Sequence, residues 1–139
     1  MNMNLAAHVT YFLLRVVAGF LFSQAGCVIL FGWFGGMPDQ PSPPPLISQT
    51  GIGGVLEFFG GILIMLGLFT RPVAFILSGM MAVAYWQFHA PLGGWPLQNQ
   101  GMPAVLFCFI FLYMAMQGAG DWGLDALLRR KRAATTGTH

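Results

Sequence analysis

Charge is what this chain has least of. Of 139 residues only 7% are charged, six Lys or Arg and four Asp or Glu, while 56% are hydrophobic. A water-soluble domain devotes about a quarter of its residues to charge. The polar surface here is too small to coat a water-facing globule, so lipid is the expected solvent. A net charge of +2 gives no basis for nucleic-acid binding. Cysteine is equally sparse: Cys27 and Cys108 both lie in apolar runs and read as small core residues, not a disulfide framework. No Lys or Arg precedes Arg15, and no small-residue cleavage site follows a short apolar core. The first apolar run is therefore expected to be a retained span.

What the chain has instead is long apolar runs. A membrane helix needs roughly 20 mainly apolar residues, and four stretches qualify, over about 11–34, 51–69, 72–89 and 102–117. The expected fold is all-α, an integral membrane bundle of four transmembrane helices in one domain over residues 1–132. Residues 133–139 are expected to form a disordered tail. Between the first two spans, "GGMPDQPSPPPLISQT" carries prolines that forbid regular helix, so an exposed loop is expected. "APLGGWPLQNQG" forms the second uncharged connection.

Basic residues set the orientation. Arg71 sits in the tight turn after the second span, and Arg129, Arg130, Lys131 and Arg132 follow the fourth. The other two loops carry no Lys or Arg. Four spans with both termini cytoplasmic satisfy this asymmetry. Trp33, Trp86 and Trp95 then mark the outer boundary and Trp122 the inner one. Arg15 and Arg71 read as snorkelling topology anchors.

The stretch "GIGGVLEFFGGILIMLG" places Glu57 among glycines. Gly53, Gly60 and Gly67 recur every seven residues, as do Gly54 and Gly61, so all lie near one helical face. Small residues let helices approach closely in lipid. The first span offers its own pair, Gly19 and Gly26. Glu57 lies inside the glycine stripe and is expected to face other helices. With about 1.5 Å of rise per residue, it sits roughly 9 Å below the outer end and Arg15 roughly 18 Å deeper still. The expected partners are Tyr85, His89 and Gln24, around an outward-opening polar pocket. An intramembrane acid is a functional candidate by default. The competing reading is a hydrogen-bonded latch between helices. Only Glu57 and His89 could offer metal ligands at one height, so no metal site is assigned.

Four stretches carry a family resemblance: "LLRVVAGFLFSQAG", "EFFGGILIMLGLFTRP", "MAVAYWQFHAPLGGWPLQNQG" and "FCFIFLYMAMQGAGDWGLDALLRR". They resemble the DoxX family of small four-helix membrane proteins, from about Leu13 to Arg130. The resemblance implies a bacterial inner-membrane bundle and redox work near the quinone pool. Its members are named for a terminal quinol oxidase and a thiosulfate:quinone oxidoreductase. The family's recurring polar positions fall on Arg15, Glu57, Arg71, Tyr85, His89 and Asn99. Relatives tend to have histidine at the place of Ala25, lysine at Ile29 and glutamate at Met102. Without those ionisable groups the chain reads as a redox-linked accessory subunit, not a stand-alone enzyme. Quinone, or another small apolar ligand, is the implied occupant of the pocket. The rival readings are a structural subunit docked on a larger membrane complex or on copies of itself, and, more weakly, a small transporter.

Overall fold

The computed structural model describes residues 3–38 and 43–136. The described residues are helical, with no strand, in the order α1 (Met3–Phe31), α2 (Gln49–Leu66), α3 (Thr70–Ala84), α4 (Met102–Gln117) and α5 (Leu124–Thr136). Three helical stretches are long and apolar enough to cross a membrane: Asn4–Phe31, Gln49–Leu66 and Thr70–Leu92. Helix α4 is also apolar but has 16 residues, about 24 Å of helix. The first helix begins eight residues before the expected start at 11. The chain is also helical to Thr136, beyond the expected end of order at 132; residues 137–139 lie outside the described residues.

The outer surface is unlike that of a soluble protein. Phe75 and Phe109 are 64% and 65% exposed, and Leu13, Val17, Leu106 and Val83 also point outward. The inside holds small and aromatic groups, with Phe22 set edge-on to Phe111 at 4.8 Å between ring centres. Ala18, Ala74, Ala104 and Ala115 are buried around this pair. A surface of this composition is matched to hydrocarbon, not water.

Glycines set how close α1 and α2 come. A Cβ on Gly61 would lie 2.5 Å from Ser23 N and 2.6 Å from Gly19 O. One on Gly19 would lie 2.5 Å from Gly61 O, and one on Gly26 would overlap the Phe58 backbone. Gly54 meets Ile29 in the same seam, whereas Gly60 turns toward Leu77 of α3. Gly53 departs from the expected stripe, because a Cβ there would meet nothing within 4 Å. The seven-residue repeat therefore serves three directions at once: α1, α3 and open space.

The α2–α3 corner is tight and explicit. Gly67 (φ 69°) ends α2, its N–H donating to Ile64 O, while Leu68 N donates to Leu63 O. This left-handed termination favours glycine. Phe69 follows at φ 50°, a costly conformation for a side chain of that size. Asp125 of α5 supports it, accepting from Phe69 N at 2.8 Å and Thr70 N at 2.9 Å. A carboxylate at a helix N-terminus satisfies otherwise unpaired donors and complements the helix dipole. Pro72 then falls in the first turn of α3, where its missing N–H does no harm.

Cys27 and Cys108 are free thiols. The Ser78 hydroxyl donates to Cys108 O at 2.8 Å and so links α3 to α4.

Candidate functional site

A cavity of about 430 Å³ opens between α1, α2, α4 and the end of α3. Glu57 and His89 are both in its wall. Much of the remaining wall is apolar and includes Phe22, Met80, Met81, Phe88 and Phe107. Methionine supplies adaptable contacts, so this lining can fit itself to an apolar guest. Gly53 opens directly onto the space, which explains why its missing side chain touches nothing.

Glu57 Oε2 is buried and has no hydrogen-bond partner among the described residues. The expected latch to Tyr85 or His89 is not formed. His89 is turned the other way at one ring nitrogen, where Nδ1 bonds to Asn99 O at 3.0 Å. It also stacks beside Tyr85, with ring centres 6.4 Å apart. The helix itself makes this turn possible, because Tyr85–His89 forms a π-helical segment continuing α3. A wider turn shifts the side chains away from the 3.6-residue register on which a straight helix would place them.

Tyr85, Asn99 and Gln24, all expected in the pocket, are not among its walls. Asn99 is 1% exposed and organises the α3–α4 loop. Its Nδ2 donates to Gly93 O at 2.9 Å and to Tyr85 OH at 3.4 Å, and its Oδ1 accepts from Gly101 N at 2.9 Å. Asn99 and Tyr85 thus position His89. Asn99→Ala is expected to leave Gly93 O unpaired, while Gly101 N keeps its bond to Pro96 O, and to lower stability by about 1–2 kcal/mol. Thermal unfolding in detergent micelles measures this loss.

Sequence reasoning missed Gln49, Thr50 and Met37, which also line the cavity. Gln49 Nε2 donates to Gln87 Oε1, tying the start of α2 to the π-helical turn. Polar residues at a helix start carry no signal that separates a cavity rim from an ordinary interface.

Arg15 is the largest correction. It is 1% exposed, so it does not snorkel. Nη1 donates to Ile64 O and Met65 O, both at 2.8 Å, and Nη2 to Trp122 O at 3.0 Å. Its guanidinium carbon also lies 5.5 Å from the Phe12 ring centre. One guanidinium therefore ties α1, the end of α2 and the α4–α5 loop together. Tyr11 OH adds a bond to Gly118 O in that same loop. Arg71 and the four bases of α5 remain exposed, all at this end of the bundle. Among the described residues, no three His, Cys, Asp or Glu side chains are grouped to hold a metal.

Among the described residues, helices with outward-facing apolar side chains define a membrane protein. The DoxX family profile matches residues 10–90, more than half of the chain, and the protein belongs to that family. It is 38% identical over 134 residues to an uncharacterized protein of Haemophilus influenzae, covering 88% of this chain and 94% of that one. It is 26% identical over 125 residues to the inner membrane protein YqjF of Escherichia coli, covering 84% of this chain and 90% of that one. No solved structure matches the chain.

Proposed function

We propose that this protein is a redox-linked accessory subunit of the bacterial inner membrane that holds quinone, or another small apolar molecule, in the Glu57 cavity. The observation that carries the reading is the unpartnered buried Oε2 of Glu57 in the wall of a largely apolar space. A buried polar atom without a partner is costly, by about 1–3 kcal/mol. A guest with a hydrogen-bonding oxygen at the edge of an apolar body would remove that penalty and fill the cavity. A quinone or quinol has this form. The volume falls within the range of about 300–1,000 Å³ usual for small-molecule sites. His89 offers a second polar contact at the wall.

In this reading α4 is the fourth span, and both termini lie in the cytoplasm. The basic residues on the α2–α3 turn and on α5 support that orientation. Inner-membrane placement is supported by the similarity to the Escherichia coli protein. The family resemblance favours work alongside a larger membrane complex.

Purification from native membranes in mild detergent, followed by mass spectrometry of extracted quinones and lipids, tests the assignment. A near-stoichiometric apolar small molecule is expected with the wild type. Glu57→Ala should reduce its retention about tenfold, the equivalent of losing one hydrogen bond of about 1.4 kcal/mol. Glu57→Gln keeps a hydrogen-bonding group and should retain more. Equal retention by wild type and Glu57→Ala would remove the cavity from the mechanism. Co-purifying membrane redox proteins identify the complex served.

A further inference from the structure

A second groove, of about 320 Å³, lies at the opposite end of the molecule, between the start of α3 and α5. Three arginines line it: Arg71 from α3, and Arg129 and Arg132 from α5. The block "RRKR" does not contribute evenly. Positions 129 and 132 are three apart and share a helical face, whereas Arg130 and Lys131 are absent from the groove. The tertiary structure has thus sorted a run of four bases into two facing the groove and two directed elsewhere.

Asp125 is the acid in this wall, and both its oxygens are engaged by Phe69 N and Thr70 N. It is consumed in holding the corner, and the guanidiniums of Arg71 and Arg129 alone outnumber it, so the groove is cationic. Arg71 is set against Gly118, where an added Cβ would lie 3.1 Å from its Nε. The rest of the wall is mostly apolar, with Phe69, Pro72, Ala119 and Leu128 beside Thr70 and Gly118. Beyond it, α5 exposes Leu124, Leu127 and Leu128 at spacings of three and one, a continuous apolar strip beside the bases. Such a helix is suited to lie in a membrane interface, apolar side toward the acyl chains.

We propose that this groove is a binding site for the phosphate headgroup of an anionic phospholipid, with α5 lying along the membrane surface. Arginine suits the task because its planar fork of donors matches phosphate oxygens. The apolar wall selects the lipid over a free anion, since it offers contacts to glycerol and acyl carbons that inorganic phosphate lacks. Basic pockets at helix ends near a charged leaflet bind headgroups by the same logic. This inference is independent of the Glu57 cavity, which lies at the other end of the bundle.

The test uses the full chain in detergent micelles with dioleoyl phosphatidylglycerol, dioleoyl phosphatidylcholine or sodium phosphate added, and native mass spectrometry as the readout. The wild type should bind the glycerol lipid on the order of tenfold more tightly than the choline lipid. Arg129→Gln with Arg132→Gln should abolish that preference. Arg130→Gln with Lys131→Gln removes the same charge and should preserve it within about twofold. Equal losses in the two double variants would show diffuse attraction to the bases and overturn the site. No lipid preference in the wild type would overturn it without any variant. Displacement of the lipid by millimolar sodium phosphate would assign the groove to a soluble anion and overturn the lipid assignment.

Discussion

Arg15→Met should destabilise this protein by about 3–5 kcal/mol, the largest effect of any single substitution outside the glycine seam. The side chain makes three charge-assisted hydrogen bonds to backbone carbonyls, two at the end of α2 and one at Trp122. Methionine fills similar volume but supplies no donor, so Met65 O and Trp122 O lose these bonds. The carbonyl at the end of a helix has no intrahelical partner to fall back on. Arg15→Lys should recover only part of the loss, because one ammonium on a flexible stem cannot span both acceptor groups as the guanidinium fork does. The measurement is thermal unfolding in micelles, combined with protease access to the α4–α5 loop. A snorkelling arginine would show almost no change in either, so an unchanged midpoint for Arg15→Met would refute the buried-clamp reading.

Gly61→Ala should destabilise by about 3 kcal/mol, although it adds one methyl and improves helix propensity. The new Cβ would fall 2.5 Å from Ser23 N and 2.6 Å from Gly19 O, both backbone atoms on α1. No side chain can swing aside, so α1 and α2 must separate along the seam. In lipid, close contact of helices is the main source of association energy, and separation forfeits it along the whole interface. Gly53→Ala is the matched control on the same helix. Its Cβ would meet nothing within 4 Å, so the fold should be unchanged or slightly more stable. Equal midpoints for the two variants would show that the seam is not close-packed.

Much of the architecture was legible because its signals are local. Apolar length gave the helices, and the boundaries of α4 fell at 102–117, the residues where the structure places them. Helical period identified glycines at the α1–α2 contact. It failed for Gly53, since a repeat of seven says that residues share a side but not what stands opposite. Glu57 was legible as an anomaly, an acid in an apolar run. Its neighbourhood was not. Counting rise from the helix ends grouped Tyr85 with Glu57, yet Tyr85 closes the last regular turn of α3, its N–H bonded to Met81 O, and faces Asn99 and Gly101 instead of the cavity. The direction a side chain takes at the end of a helix depends on its tertiary neighbours and has no simple trace in residue types.

Arg15 and Asp125 show the same division most clearly. Arg15 was visible as a charge near the inner end of the first span, most economically read as solvated, and Asp125 carried no local signal at all. Their partners stand 49 to 107 residues away for Arg15, and 55 and 56 residues away for Asp125. The sequence by itself did not foresee α5 as a helix, but it determined the solvent, the helical class, the bounds of α4 and the presence of one misplaced acid. Those follow from transfer energies and from the period of a helix, which are properties of neighbouring residues. Only the tertiary structure decided which carbonyls Arg15 would clamp, which two bases of "RRKR" would join Arg71, and that Glu57 Oε2 would be left unpaired in a cavity wall. Those depend on the offset and rotation of one helix against another, set jointly by contacts between residues far apart in the chain.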